Sequence, residues 1–241
     1  MSSAEVVVAL RAVRKDYHGL RPLRVQHLDV RRGESVALLG LDRVAAEVLA
    51  SLVTGATLPD AGDVMAFGVP TRSVTDADAW LSEMSRFGVV SDRVVLLESF
   101  SVEQNLALPF SLEIDRIPDS VRGQVRALAE EVGIDRDTLA TPAGRLRPDN
   151  ALRVRLAKAL ALGPRVLLVE HPNAELSAAE VPRFAADLAT IAAARDVALL
   201  VMTADVAFAR AVADRVLTVR PATGQLTETG GWRDWLRRER R

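Results

Sequence analysis

Two polar residues, Glu170 and His171, directly follow residues 166–169, the most apolar strand-like segment of the chain. A carboxylate in this position can bind a divalent cation, and an imidazole can accept a proton from water near neutral pH. A histidine at the end of a strand can also have a purely structural role, hydrogen-bonded to its neighbours. The pair is therefore a candidate catalytic site, Glu170 is a candidate metal ligand, and both roles of His171 stay open.

A second candidate site is the loop that begins at Gly40. It lies between the apolar segment 35–39 and residues 44–53, whose apolar positions repeat at helical spacing. Strand, glycine-containing loop and helix in this order are typical of phosphate-binding loops with the pattern G-x-x-x-x-G-K-[ST]. In such loops the backbone N–H groups and the helix N-terminus bind phosphate, and the lysine neutralises its outer oxygens. In this frame the loop consists of Gly40, Leu41, Asp42, Arg43, Val44, Ala45, Ala46 and Glu47.

The residue types in this loop depart from the pattern after its first glycine. Ala45 stands at the second glycine, Ala46 at the lysine, and Glu47 at the hydroxyl that would bind magnesium. The chain has two lysines, Lys15 and Lys158, and neither lies where another alignment of the loop would restore the missing cation.

The charges of the loop oppose phosphate binding. Two like charges about 4 Å apart repel by on the order of 4 kcal/mol at an effective dielectric constant near 20. Asp42 and Glu47 beside a triphosphate are therefore expected to lower its affinity by several powers of ten. Arg43 is the one local counterweight, provided that its guanidinium turns inward to the phosphate.

The elements that would position these residues alternate between strands and helices. Strands are predicted at residues 5–11, 23–30, 35–39, 63–67, 87–90, 166–169, 197–202 and 216–219, and helices at 44–53, 102–108, 120–132, 149–162 and 181–194. The segment from 166 to 202 reads strand, helix, strand, which predicts a right-handed parallel crossover. The pattern predicts an α/β protein with a parallel sheet, an N-terminal β region and a helical insertion.

Composition excludes several classes of protein. The 241 residues are 49% hydrophobic and carry a net charge of −1, which gives no electrostatic basis for binding nucleic acid. Cysteine is absent and there are three histidines, so disulfides, thiolate metal sites and histidine-rich metal sites are not expected. No apolar stretch reaches the roughly 20 residues that a membrane span needs. A cytoplasmic protein is the expectation.

Further segments match one known pattern in the same order along the chain. A short motif before a predicted helix reads Leu146, Arg147, Pro148, Asp149 and Asn150, and we expect Asp149 to be the N-cap of that helix. Asp92 precedes a run of ten residues, 96–105, and Ala204 follows the last buried strand. Tyr17 is an aromatic residue near the end of the first strand.

With the Gly40 loop and the Glu170–His171 pair, these segments resemble the nucleotide-binding domain of ATP-binding cassette (ABC) transporters, over roughly residues 6–219. The resemblance implies a P-loop NTPase-like fold of ABC type. It also implies a single domain over 1–231, with a core of 1–92 and 163–231, a helical subdomain of about 93–162, and a basic tail, 232–241.

The resemblance assigns a role to each matched residue. ATP and Mg²⁺ are the implied ligands. The nucleotide positions are Tyr17 on the adenine, Gly40 to Glu47 on the phosphates, Asp92 at the loop glutamine and Ala204 at the switch histidine. Glu170 and Glu47 stand at the metal positions and His171 at the catalytic glutamate. Leu146 to Asn150 stand at the signature that meets the opposite subunit of a head-to-tail dimer.

Most chemical positions of the family pattern are substituted, so the leading hypothesis is a degenerate cassette subunit. It would bind and hydrolyse ATP weakly or not at all and associate with a membrane permease and a cassette partner, identical or different, at the inner face of the cell membrane. A second hypothesis is an active ATPase that uses Arg43, Glu47, Glu170 and His171 as substitutes. A third is a soluble scaffold or regulator, whose tail with Trp232 and Trp235 either packs on the domain or binds an anionic membrane surface.

Overall fold

Two β-sheets form the frame of the protein. The structure is a computed structural model that describes residues 4–74, 76–174 and 176–229. The strands are β1 Val6–Lys15, β2 Leu23–Arg31, β3 Ser35–Leu39, β4 Ala61–Ala66, β5 Val69–Pro70, β6 Phe87–Val90, β7 Val166–Glu170, β8 Ala198–Met202, β9 Arg215–Val219 and β10 Leu226–Glu228. The helices are α1 Arg43–Val53, α2 Ala77–Met84, α3 Val102–Ala107, α4 Asp119–Glu131, α5 Pro148–Leu160, α6 Val181–Ala194 and α7 Val206–Val212.

The larger sheet is parallel through most of its width. Its strands lie in the order β10-β9-β3-β8-β7-β6, with parallel pairing from β9 to β6 and an antiparallel β10 at one edge. The smaller sheet, in the order β2-β1-β4-β5, is antiparallel. The predicted fold class, a parallel core with an N-terminal antiparallel region and a helical insertion, is confirmed.

The central strands are buried on both faces. Along β7, Leu167 and Val169 join a core with the helices α3 to α7, while Val166 and Leu168 join a core with α1 and the smaller sheet. Successive side chains of a strand point to opposite faces, so a wholly apolar strand is what a sheet covered on both faces requires. This explains why the apolar runs in the sequence located β3, β7 and β8.

Several elements differ from the sequence-based prediction. β1 continues to Lys15 instead of ending at residue 11, across an irregularity in its pairing with β4, where Ala12 has a φ of +48°. The helices α2 and α7 and the short strands β5 and β10 were not predicted. α7 has seven residues, too few for a helical repeat to emerge, and it begins because Asp205 accepts hydrogen bonds from the N–H groups of Ala207 and Phe208.

The prediction that Asp149 caps α5 was wrong. Arg147 is the N-cap residue and makes no side-chain capping bond, while Pro148 is the first residue of the helix. Proline is favoured there because its missing N–H has no partner within a helix and its φ is already helical. Asp149 lies in the first turn, where a carboxylate interacts favourably with the helix dipole.

Within the ranges that the structure describes, no helix combines the length and the apolar character that crossing a bilayer requires. The basic tail, including Trp232 and Trp235, lies outside the described residues.

Candidate functional site

The carboxyl ends of the parallel strands and the start of α1 enclose a cavity of about 170 Å³. Ligand sites in open α/β sheets commonly lie at this edge, because the loops after neighbouring strands converge there. The loop after β6 contributes two residues, β7 contributes its last residue and the one after it, and α1 contributes its first turn. The lining residues are Arg43, Val44, Glu47, Asp92, Arg93, Glu170 and His171.

An arginine occupies the centre of this cavity. Nη2 of Arg93 lies 2.7 and 2.8 Å from the two carboxylate oxygens of Glu170, and its Nη1 lies 3.0 Å from Oε1 of Glu47. The Glu170 side chain is only 6% exposed and also accepts a hydrogen bond from the Ser91 hydroxyl at 3.1 Å. Arg93 therefore joins two carboxylates from two different elements, α1 and β7.

The surroundings of Arg93 act on its pKa in opposite directions. Burial lowers the pKa, but the hydrogen bond to Glu170 and the charges of Glu170, Glu47 and Asp92 raise it more, so that the net shift is upward. The guanidinium therefore remains charged, as arginine does throughout the accessible pH range.

The side chain of Arg43 pairs with Asp92, which lies outside the Gly40 loop. Its Nη2 forms an ion pair with a carboxylate oxygen of Asp92, and the two side chains are 61% and 38% exposed. The two arginines and three carboxylates of the cavity, which are Arg43, Arg93, Glu47, Asp92 and Glu170, are thus all engaged in ion pairs with one another.

The Gly40 loop ends at the N-terminus of α1, which is capped by a side chain of the loop itself. α1 begins at Arg43, and the side chain of Asp42 accepts a hydrogen bond of 2.8 Å from the N–H of Ala45. The N–H of Ala46 donates to the Asp42 carbonyl at 2.9 Å, and the Ala46 side chain is fully buried. A carboxylate of the protein itself therefore occupies the position at which a helix N-terminus would otherwise attract an external anion.

Gly40 is required by the backbone of this turn. Its φ is +87°, and a Cβ atom there would lie 2.9 Å from the carbonyl oxygen of Val219 on β9. A glycine at this point follows from the strand-to-helix turn and the close approach of β9, whether or not the loop binds phosphate.

His171 lies at the same cavity with an unusual backbone. Its φ is +42°, and its N–H donates to the carbonyl of Met202 on β8 at 2.8 Å. Nε2 of the imidazole is buried and has no hydrogen-bond partner among the described residues. The structure therefore places Glu170, His171, Arg43, Glu47 and Asp92 at one cavity, and no described contact assigns His171 a role as a base.

Tyr17 lies on the other side of the α1 N-terminus. Together with Gly40, Leu41, Asp42 and Ala45 it lines a smaller cavity of about 80 Å³, which also involves Arg21, Pro22, Leu23, Arg24, Val219 and Pro221. Burial and the negative charge of Asp42 raise the pKa of the Tyr17 hydroxyl. The tyrosine and the start of α1 are thus neighbours.

The signature segment lies at a third cavity, of about 440 Å³, at the start of α5. Arg147, Asp149 and Asn150 line it, and Arg147 pairs with Glu180 at 2.7 Å and with Asp149 at 3.3 Å. Leu146 packs against the core cluster that contains α3 to α7. The structure does not bring this segment to the Arg93 cavity within one chain.

Ala204 lies in the exposed turn between β8 and α7 and is not part of the lining of the Arg93 cavity. The residue before it, Thr203, is fully buried and donates a hydrogen bond to Oδ1 of Asn173 at 3.0 Å. Across the described residues, no group of three or more histidine and acidic side chains is arranged to hold a metal ion. The carboxylates proposed as metal ligands, Glu47 and Glu170, both face Arg93 instead.

Sequence reasoning missed Arg93, which connects the site. The available signal was its position two residues after Ser91, in the loop that leaves β6, together with the expectation that β6 ends beside β7. A cation following one strand and a carboxylate ending its neighbour are placed at the same edge of a parallel sheet.

The comparisons with known proteins agree with this fold. The uncharacterized ABC transporter ATP-binding protein y4mK of Sinorhizobium fredii is 30% identical over 181 residues, covering 73% of this chain and 36% of that protein. The methionine import ATP-binding protein MetN of Brucella abortus is 30% identical over 214 residues, covering 88% of this chain and 57% of that protein. No protein-family model matches the chain.

Among solved structures, cbiO1 from Clostridium perfringens, part of the ABC transporter complex cbiONQ, superposes with a TM-score of 0.80 at 20% identity. The match covers 98% of this chain and 92% of that chain. The chain therefore belongs to the ATP-binding cassette family and has the fold of its nucleotide-binding domain. It spans 36% and 57% of the length of the two curated relatives.

Proposed function

We propose that this chain is a cassette domain that acts through association, with a membrane permease and with an identical or second cassette domain, and that it binds and hydrolyses ATP weakly or not at all. The observation that carries the proposal is that the N-terminus of α1 is already capped by a carboxylate of the protein. Asp42 caps this helix from within, and a neutral, buried Ala46 stands where a phosphate-binding loop has its lysine.

The described residues do not fit a magnesium triphosphate. A triphosphate in the loop would displace the Asp42 carboxylate from the Ala45 N–H or lie against it, and each close pair of like charges costs on the order of 4 kcal/mol at an effective dielectric constant near 20. The cation Mg²⁺ would compete with Arg93 for Glu170 and Glu47.

The same contacts argue against an ATPase with substitute residues. Arg43, the candidate replacement for the lysine, pairs with Asp92, and the candidate metal ligands Glu47 and Glu170 pair with Arg93. A substitute mechanism would require all three ion pairs to break before nucleotide binds.

The relatives support a role in transport. MetN of Brucella abortus is an import ATP-binding protein, and cbiO1 of Clostridium perfringens is part of a transporter complex. We extend this to the present chain as a cytoplasmic subunit at the inner face of the cell membrane. Fractionation of the native cells with the tagged full chain tests it: the proposal expects the chain in the membrane fraction with a permease, whereas a soluble scaffold would stay outside that fraction.

A phosphate-release assay on the full chain tests the loss of hydrolysis. We expect no release of phosphate from Mg-ATP above the buffer background, with no change in His171→Ala or Glu170→Gln. Exposed Asp115→Asn serves as a control for variant preparation. Turnover by the wild-type chain that both site variants abolish and the control retains would establish the active-ATPase alternative instead.

A further inference from the structure

Two carboxylates, those of Glu47 and Glu170, bring negative charge to the Arg93 cavity, and a cationic side chain of the protein pairs with them. Glu170 is almost completely buried, and a buried carboxylate needs a cationic or hydrogen-bonding partner to remain ionised. Glu47 brings a second carboxylate to the same place from α1. Arg93 pairs with both carboxylates, and the Ser91 hydroxyl supplies one further hydrogen bond to Glu170.

The position of the guanidinium is one that a small divalent cation could take. One Arg93 side chain contacts an oxygen of Glu47 at 3.0 Å and both oxygens of Glu170 at 2.7 and 2.8 Å. Magnesium in proteins is commonly bound by one or two carboxylates, with water completing its coordination. A metal ion between the two carboxylates would take the position of the guanidinium and would be repelled by its positive charge, so the two exclude each other.

We propose that Arg93 is a built-in replacement for a divalent cation. It keeps the carboxylates of Glu47 and Glu170 paired with a cation and excludes metal from the cavity, and its removal uncovers a metal site made of the same two carboxylates. Arg93, in the loop after β6, thereby links α1 to the carboxyl end of β7 without any bound ligand. This inference concerns the metal alone and does not rest on the proposed function.

The experiment compares the full chain with Arg93→Ala and Arg93→Lys, using Mn²⁺ as a paramagnetic probe and Mg²⁺ in thermal melts. We expect the wild-type chain to leave the free Mn²⁺ signal unchanged. Arg93→Ala should reduce that signal, and adding Glu170→Gln to it should weaken the binding at least tenfold. Arg93→Lys retains a cation and should remain insensitive to metal.

Thermal stability gives a second readout. Without metal, Arg93→Ala leaves two carboxylates facing each other, and we expect its melting temperature to fall by about 5 °C relative to the wild-type chain. Mg²⁺ should recover at least half of that loss. The matched control is Arg32→Ala, which removes an exposed arginine paired with Asp196 elsewhere on the surface and should show no recovery.

The inference is overturned if Arg93→Ala folds and binds no Mn²⁺. It is also overturned if the wild-type chain binds Mn²⁺ and Glu170→Gln weakens this binding at least tenfold, a measurement that remains decisive if Arg93→Ala fails to fold. Failure of the proposed function has a different signature, since it appears as nucleotide turnover by the wild-type chain.

Discussion

At the scale of single residues, Asp42 affects both the N-terminus of α1 and the neighbouring Tyr17. Its carboxylate caps α1 through the Ala45 N–H, and its charge contributes to the raised pKa of Tyr17. One substitution can separate these effects, because asparagine caps a helix about as well as aspartate but carries no charge.

We predict that Asp42→Asn lowers the pKa of Tyr17 toward its ordinary value without unfolding α1. Burial, the first cause of the raised pKa, remains in the variant, so the shift is only partly reversed. Because Tyr17 is the single tyrosine of the chain, ultraviolet difference absorbance during an alkaline titration reports it without ambiguity. Asp115→Asn, which removes the same charge from an exposed loop, should leave the Tyr17 titration unchanged.

The sign of the pH dependence follows from the direction of this shift. A folded-state pKa above the unfolded one means that folding favours the neutral tyrosine. The resulting stability is fully present below the ordinary pKa of tyrosine and is lost as the pH rises through the higher folded-state pKa. Asp42→Asn should reduce this alkaline loss; an unchanged alkaline stability curve and Tyr17 titration would contradict the assigned contribution of Asp42.

The residue types at the candidate site were readable from sequence, but their pairing was not. The order of Gly40, Glu170 and His171 along apolar strands indicated candidate residues at the carboxyl ends of β3 and β7. The partners of Arg93, in contrast, lie on α1 and β7, far away in sequence, and local spacing contains no information about such contacts.

At the scale of elements, the segment between β6 and α3 is fixed by one buried side chain. Asn105 of α3 is fully buried and accepts a hydrogen bond from the Leu97 N–H at 2.8 Å. Its amide group donates to the carbonyls of Leu97 at 3.0 Å and Ser101 at 3.1 Å. The loop that continues from Arg93 is thus attached to the helical part of the protein.

We predict that Asn105→Ala destabilises the protein by about 3 kcal/mol, because it removes the hydrogen bonds of a fully buried amide and leaves the Leu97 N–H without its partner, which alone costs about 1–3 kcal/mol. Chemical denaturation monitored by tryptophan fluorescence measures this free energy of unfolding. Ser99→Ala, in the same loop but exposed, is the matched control and should cost about 0.5 kcal/mol or less. Equal effects of the two changes would show that Asn105 does not fix the segment.

The strands and long helices followed from the sequence because burial on both sheet faces leaves wholly apolar runs, as in β7 and β8. The elements that escaped prediction are short or irregular. α2 and α7 have eight and seven residues, and β1 passes through Ala12 in a left-handed conformation that no local pattern marks. The cap of α5 was misassigned because Pro148 can begin a helix without a capping side chain before it.

At the scale of the whole molecule, the central sheet separates two packed faces and carries the candidate site at one edge. The covered faces contain the apolar cores, and the cavity around Arg93 opens at the carboxyl ends of the parallel strands. The division into a core and a helical subdomain over residues 93–162 stays a prediction, as do the roles of the signature segment and of the tail. The frame of a cassette domain is present, and the charged side chains at the carboxyl edge of its parallel strands are engaged in internal ion pairs.

Calorimetric titration of the full wild-type chain with Mg-ATP tests this account most directly. The internal cap at Asp42 and the ion pairs of Arg93 predict no saturable binding heat, and the same trace for ATP with and without Mg²⁺. Binding of one nucleotide per chain with micromolar affinity, weakened by Tyr17→Ala or by removal of Mg²⁺, would contradict the account.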